Sequence, residues 1–154
     1  MMAQALPKAA LRPMLPADAA YLAAIYRASV MELTGDDYSE AQQEAWAERG
    51  EEPDFAQRLS KQLTLVATIA SAPVAFISLK GTDQIDMLYV HPGVARQGIG
   101  TMLYEAVEKL ARARGAKQLT VDASDTARPF FEKRGFEGVQ RNTVLVGDEW
   151  LGTR

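Results

Sequence analysis

Apolar positions along this chain recur with two periods, and the changes between them predict an order of elements. Residues Ala9 to Met14 read as a first strand, and Pro16 with Asp18 then opens a helix carrying Leu22, Ile25, Tyr26, Ser29 and Leu33 on one face. The stretch Thr34 to Tyr38, TGDDY, breaks that helix. Ser39 and Gln42 have capping-box spacing for a short helix holding Trp46, and a second short helix is expected from Pro53 to Lys61. Leu63 to Ile69 and Val74 to Leu79 predict a β-hairpin across Ala70 to Pro73, and Gln84 to Val90 predicts the next strand. From Gly98 to Arg114 the apolar residues Ile99, Met102, Leu103, Ala106, Val107 and Leu110 keep a period of about 3.6, with Gly115 as the stop. The far face of this helix carries the Glu-first pairs Glu105/Lys109 and Glu108/Arg112. A strand over Lys117 to Ala123, a helix from Thr126 to Arg134 closed by Gly135-Phe136, and two strands over Glu137 to Leu151 complete the pattern. The order predicts an α/β fold of the mixed α+β type, a central mixed sheet with helices on both faces, the long helix serving as a β-α-β crossover.

Composition narrows the chemistry. With 154 residues and 47% hydrophobic content the chain suits one domain over 1–154, since a chain of this length buries roughly 70% of its unfolded surface. There is no cysteine, hence no disulfide framework, thiolate nucleophile or thiolate metal ligand, and the single histidine, His91, cannot build a metal site or a Ser-His-Asp triad. No metal is expected. The opening MMAQALPKAALRPML has too short an apolar run for a signal peptide, and no later run reaches a membrane span, so a soluble, cytoplasmic protein without a membrane partner is expected. A net charge of −3 argues against a general nucleic-acid partner, but its distribution is uneven. Nine acids between Glu32 and Asp54 face one base, Arg49, whereas Arg96 to Arg134 holds eight bases and five acids. A basic half attracts a polyanionic ligand and an acidic half a cationic one, unless both are simply solvated surfaces.

The most informative stretch is Ile85 to Thr101, IDMLYVHPGVARQGIGT. It reads as a buried strand, a turn on His91, Pro92 and Gly93, and a Gly-rich entry into the long helix. Gly98 and Gly100 let the backbone close tightly while N–H groups face an incoming anion at the positive helix end. The run contains neither G-x-x-x-x-G-K-[ST] nor G-x-G-x-x-G, since residue 103 is Leu103, which sets aside an ordinary nucleotide-binding α/β domain.

Taken in order, LYVHP, the turn, Gly98-Ile99-Gly100, the long helix, a strand and RPFFEKRGF resemble the GNAT superfamily of acyl-CoA-dependent N-acyltransferases, most specifically over Gln84 to Phe136. With YSEAQQEAWA and TVDASDTARPFFEKRGF the chain looks like a branch of small bacterial acetyltransferases of poorly defined substrate. The resemblance implies a mostly antiparallel sheet of about six to seven strands, an acceptor lobe at about 15–62 and an acetyl-CoA-binding core at about 84–136. It also implies acetyl-CoA as the acyl donor.

Carried over residue by residue, the resemblance makes Ala95, Arg96, Gln97, Gly98, Ile99 and Gly100 the pyrophosphate loop, with Thr101 adding a hydroxyl. The family has Arg or Gln at the first of these positions and this chain has Ala95, so one side-chain contact is missing; Arg96 and Gln97 are the candidates to compensate. Leu88, Tyr89 and Val90 fall on the strand whose backbone pairs with the pantetheine arm. Ser124 falls where many relatives carry an Asn on that arm, and it is equally a helix-capping serine. Phe130 and Lys133 lie on the helix expected to flank the adenosine end, although Phe130 is also a core candidate.

Without cysteine or a triad, direct attack of a neutral amine on the thioester is expected, and a base must first take the ammonium proton. Gln84 falls where some relatives keep a glutamate base. Asp86, two residues on and expected on the same face, is the candidate base, its alternative being a structural carboxylate held by an arginine or backbone donor. Phe131 occupies the position of a family tyrosine that protonates the leaving thiolate, and Tyr38 is the substitute candidate unless it only shapes its loop. Asp37 and Trp46 are the substrate-side candidates, Trp46 being core or substrate wall. The acidic early segment favours a cationic primary amine, on a small molecule or a peptide, over an acidic acceptor. A catalytically silent acyl-CoA-binding module is the alternative, and homodimerisation through the final strands is common in such folds.

Overall fold

A computed structural model of the chain describes residues 8–137, 142–146 and 149–153, the last two segments as backbone. Strand β1 (Ala10–Pro13) leads through a 3₁₀ turn at Pro16–Asp18 into α1 (Ala19–Leu33), followed by α2 (Glu40–Glu48) and α3 (Asp54–Lys61). Then come β2 (Leu63–Ile69), β3 (Ala72–Lys80), β4 (Gln84–Val90), α4 (Ile99–Ala113), β5 (Thr120–Val121) and α5 (Arg128–Glu132). The described chain ends with β6 (Asn142–Val146) and β7 (Glu149–Thr153).

Five strands form the main sheet in the order β1-β2-β3-β4-β5, antiparallel except for the β4–β5 pair; β6 and β7 form a separate antiparallel ladder. The expected mixed, mostly antiparallel central sheet is present with five strands rather than six to seven, because the last two strands pair with each other. Alternation along β2 and β3 sends Val66 and Phe76 into a core shared with α1, α2 and α3, and Leu65, Ala67, Ala75 and Ile77 into a core shared with α4 and α5. The α4 face carrying Ile99, Leu103, Val107 and Ala111 is buried as the 3.6-residue spacing requires.

Local chemistry sets the joints. The Ser39 hydroxyl accepts from the Gln42 N–H at 3.2 Å while the Gln42 side chain accepts from the Ser39 N–H at 2.8 Å, the capping box expected from the spacing. The Glu108–Arg112 pair forms at 2.7 Å on the exposed face of α4. Arg12 donates two hydrogen bonds, 2.6 and 2.9 Å, to buried Asp18, which also accepts from the Leu15 N–H, so that β1 is tied to the start of α1.

Some boundaries differ from the pattern. The turn between β2 and β3 contracts to Ala70 and Ser71, both at positive φ, and Pro73 sits within β3 beside a register shift, where a missing ladder N–H is tolerated. The strand expected over Lys117 to Ala123 reduces to Thr120–Val121. The helix expected from Thr126 covers Arg128–Glu132, with Ala127 at its N-cap position and Pro129 at its second residue, and the Ser124 hydroxyl accepts from the Ala127 N–H in the turn before it. The expected strands over Glu137 to Leu151 fall at Asn142–Val146 and Glu149–Thr153; residues 138–141 and 147–148 lie outside the described residues.

Candidate active site

Strand β4 organises the site. Opposite β3, Ser78 pairs with Met87 and Leu79 with Ile85, leaving Asp86 as an extra residue: a β-bulge. Bulges bend a strand and re-aim its side chains. Here Ile85 packs toward α4, whereas Met87 and Tyr89 pack toward α1. On the other edge, β4 pairs with β5 only at Gln84↔Thr120 and Ile85↔Val121. Beyond Ile85 the two parallel strands are unpaired, so the β4 edge from Asp86 to Val90 faces a gap.

At the end of β4 stands the glycine-rich loop. His91 accepts from the Gly93 N–H through Nδ1 at 3.0 Å, fixing the turn, so the only histidine is occupied locally. Gly98 has φ 82°, a left-handed conformation that costs a residue with a Cβ about 1–2 kcal/mol. The first intrahelical bond of α4 runs from the Met102 N–H to the Gly98 carbonyl, so the N–H groups of Ile99, Gly100 and Thr101 have no intrahelical acceptor. A Cβ at Gly100 would lie 3.4 Å from Phe130 Cε2 and 3.7 Å from Val90 Cγ2, bringing the loop, α5 and the end of β4 into contact. Ala95 is half-buried; Arg96, Gln97 and Gly98 are exposed, and Arg96 also has positive φ, 64°.

Arg134 is the residue that the sequence reading missed here. Its guanidinium lies 3.6 Å from the centre of the Phe130 ring, donates to the Phe130 carbonyl at 2.8 Å and donates to the Thr101 hydroxyl in the first turn of α4. No carboxylate pairs with it among the described residues. Lys133, the neighbouring candidate, is exposed. A signal for Arg134 was present in RPFFEKRGF, but selecting it required knowing that residues 101 and 134 meet.

The other end of β4 lines a cavity of about 390 Å³ between the sheet and the first three helices. One wall is aromatic: Tyr26 and Tyr89 have ring centres 4.7 Å apart, Tyr26 and Phe55 5.2 Å, and Tyr38 and Trp46 5.4 Å. The Tyr26 hydroxyl donates to the Trp46 carbonyl at 2.8 Å. Burial pushes the Tyr89 phenol up to about 12 against a hydrogen bond from Trp46 that holds it back, and burial also raises Tyr26. Both stay neutral near pH 7. Trp46 is therefore core and cavity wall together.

Asp86 points into this cavity but is engaged. Arg58 donates to its two oxygens at 2.8 and 2.5 Å, and Gln62 donates to Oδ2 at 2.9 Å. The Arg58 guanidinium is in turn raised above its usual range, chiefly by that hydrogen bond. Oδ1 accepts one of these three bonds and retains a lone pair. The arginine-held carboxylate posed as the alternative from sequence is thus the observed arrangement, and Gln84 lines the same cavity.

Tyr38 and Asp37 clasp the opposite side. The Tyr38 oxygen accepts from the Asp125 N–H at 2.8 Å, and Asp37 accepts from the Thr126 hydroxyl at 2.8 Å. Tyr38 lines the cavity and Asp37 does not. Ser124 lines it too, while its hydroxyl accepts from the Ala127 N–H at 3.1 Å, the capping contact. Phe131 is buried in the α4 core and touches the cavity with carbon alone. A larger groove of about 890 Å³ runs between the second half of α4, β5 and α5 without reaching β4 or the glycine loop. No cluster of three metal-ligating side chains occurs among the described residues, and no helix among them is long and apolar enough to cross a membrane.

A β-bulged strand splayed from its parallel neighbour, running from a glycine-rich helix entry into an aromatic cavity, is an arrangement that fits the resemblance to acyl-CoA-dependent acyltransferases. The acetyltransferase (GNAT) domain profile matches residues 34–150, and the chain belongs to that family. It is similar to the uncharacterized N-acetyltransferase YafP of Escherichia coli K12, with 37% identity over 136 residues, 88% of this chain and 86% of that protein. Among solved structures it is similar to a GCN5-related N-acetyltransferase from Rhodopseudomonas palustris, with 58% identity, a TM-score of 0.92, and coverage of 99% of this chain and 95% of the other. The PaiA N-acetyltransferase of Thermoplasma acidophilum, solved in complex with coenzyme A, shares the fold at 18% identity, with a TM-score of 0.67 and coverage of 96% and 98%. The protein is an acyl-CoA-dependent acetyltransferase, with acetyl-CoA as cosubstrate.

Proposed function

We propose that the chain acetylates a primary amine held in the β4 cavity, by direct attack, with residues 15–62 forming the acceptor side and residues 84–136 the acetyl-CoA side. The observation that carries this reading is the continuity of β4: Val90 packs at Gly100 of the anion loop, and Gln84 to Tyr89 of the same strand line the cavity. The open edge at Leu88, Tyr89 and Val90 offers backbone partners to the amide-rich pantetheine arm. The N–H groups of Ile99, Gly100 and Thr101 hold the pyrophosphate, with Arg96 and Gln97 at its exposed side. Arg134 supplies the side-chain donor that Ala95 lacks, while Phe130 and Lys133 flank the adenosine end.

Bound acetyl-CoA supplies a thioester whose carbonyl carbon the neutral amine attacks, forming the amide C–N bond as the C–S bond breaks. Asp86 takes the ammonium proton through a water on the free lone pair of Oδ1, with Arg58 and Gln62 fixing the carboxylate. The Tyr38 hydroxyl, polarised by the N–H it accepts, gives a proton to the departing sulfur, and the second proton leaving the nitrogen restores it through water. Exposed Glu52, Asp54 and Asp122 at the cavity favour a positively charged amine group. The test is CoA thiol release with an amine panel, which no protein cysteine obscures. Turnover that depends on an amine is expected, with Asp86→Asn lowering kcat and shifting the pH–rate profile at little change in acetyl-CoA affinity. An unchanged profile removes Asp86 as the proton acceptor, and release without any amide product refutes transfer.

A further inference from the structure

Resting on the amine-acetylation reading, we infer that the acceptor is a small amino-carboxylate, its carboxylate bound by Arg49. The cavity's charges divide by depth. Glu52, Asp54, Asp122 and Lys80 are exposed, so water screens them, whereas Arg49 and Asp86 are half-buried or deeper. Asp86 is already neutralised by the bidentate Arg58 contact at 2.5 and 2.8 Å. Arg49 has neither a hydrogen bond from its side chain nor an ion pair among the described residues. The uncompensated charge within the cavity is therefore one guanidinium.

Its position supports a binding role. Arg49 begins the 3₁₀ turn that follows α2, directly after the helix carrying Trp46, and lines the cavity together with Tyr26, Trp46 and Tyr89. A partly desolvated guanidinium with five unused donors is matched by a carboxylate, which accepts two of them in parallel. The acidic bias of Glu32 to Asp54 favoured a cationic acceptor over an acidic one, yet the segment's only base stands in the cavity while seven of its nine acids do not line it. A volume of about 390 Å³ lies near the lower end of ligand pockets, roughly 300–1,000 Å³, and fits an amino-acid-sized molecule better than a long polyamine. An acceptor whose ammonium passes the acidic rim to reach Asp86 while its carboxylate rests on Arg49 satisfies both charges.

The test uses the full chain saturated with CoA and matched ligand triplets: an amino acid, its primary amide and its decarboxylated amine, for one apolar and one polar side chain. Calorimetry is expected to show the acid binding at least about tenfold more tightly than its amide, the effect of one charge-assisted contact. Arg49→Gln brings the acid down to the level of its amide, and Arg49→Lys recovers only part of the difference. Unchanged acetyl-CoA binding by both variants shows that they are folded. Equal binding of acid and amide, no binding of any acid, or an acid preference that survives in Arg49→Gln overturns the inference. Mass analysis with acetyl-CoA separates the two readings: selective acid binding without N-acetyl product refutes transfer and leaves the carboxylate site standing. Acetylation of amines without acid preference does the reverse.

Discussion

Replacing Arg134 with leucine tests how this chain binds an anion with alanine at position 95. The guanidinium bridges Phe130 and Thr101 at the entry to α4 and has no carboxylate partner among the described residues, so its remaining donors can meet a phosphate. Losing one charge-assisted contact costs about 1.5–3 kcal/mol, or a Kd for acetyl-CoA weaker by about 10- to 150-fold. The same change removes a cation–π contact and the bond to the Phe130 carbonyl, about 1–2 kcal/mol of stability, which lowers Tm by roughly 2–8 °C in a domain of this size. Titration at 25 °C, well below unfolding, therefore reads affinity rather than fold. The salt dependence of Kd should flatten, because a screened phosphate contact has been removed. Adding Ala95→Arg in the leucine background should recover about tenfold of the lost affinity. A folded Arg134→Leu protein with Kd within about threefold of wild type and unchanged salt dependence would refute the argument, leaving Arg134 as a clasp between α4 and α5.

Three further outcomes follow from the same contacts. Gly98→Asp places a carboxylate at the anion loop and a Cβ on φ 82°, and should abolish acetyl-CoA binding by calorimetry while the chain remains folded by circular dichroism. Tyr38→Phe should lower kcat by about 10- to 100-fold with little change in KM for acetyl-CoA; full turnover would assign Tyr38 to architecture alone. Arg12 holds the Asp18 carboxyl below its ordinary value of 3.8, so the pair's stabilisation is fully present above about pH 4 and is lost as pH falls through the lowered value. Asp18→Asn should thus cost about 1–3 kcal/mol at pH 7, discounted for the part-exposed arginine, and should lose less stability between pH 5 and 2 than wild type in chemical denaturation.

What could be read in advance was what neighbours in sequence dictate. The capping box at Ser39 and Gln42, the buried stripe of α4 and the glycine entry at Gly98 each depend on residues within one or two turns. The contacts that define the site are long-range. Arg58 reaches Asp86 across 28 positions and Arg134 reaches Thr101 across 33, and no periodicity announces either. The bulge at Asp86 was hidden for another reason: an extra residue on one strand is visible only in the register with β3. Segment charge also leaves depth out. The acids from Glu32 to Glu48 do not line the cavity, whereas Arg49, their single opposite among nine, does. Ser124 shows the remaining ambiguity, since one hydroxyl satisfies the capping geometry and also faces the cavity.

The central claim is that the loop from Ala95 to Thr101 and the open edge of β4 bind acetyl-CoA. The most direct test is calorimetric titration of the purified chain with acetyl-CoA. Saturable one-site binding in the micromolar range is predicted, lost in Gly98→Asp. The absence of binding by folded wild-type protein would contradict the account.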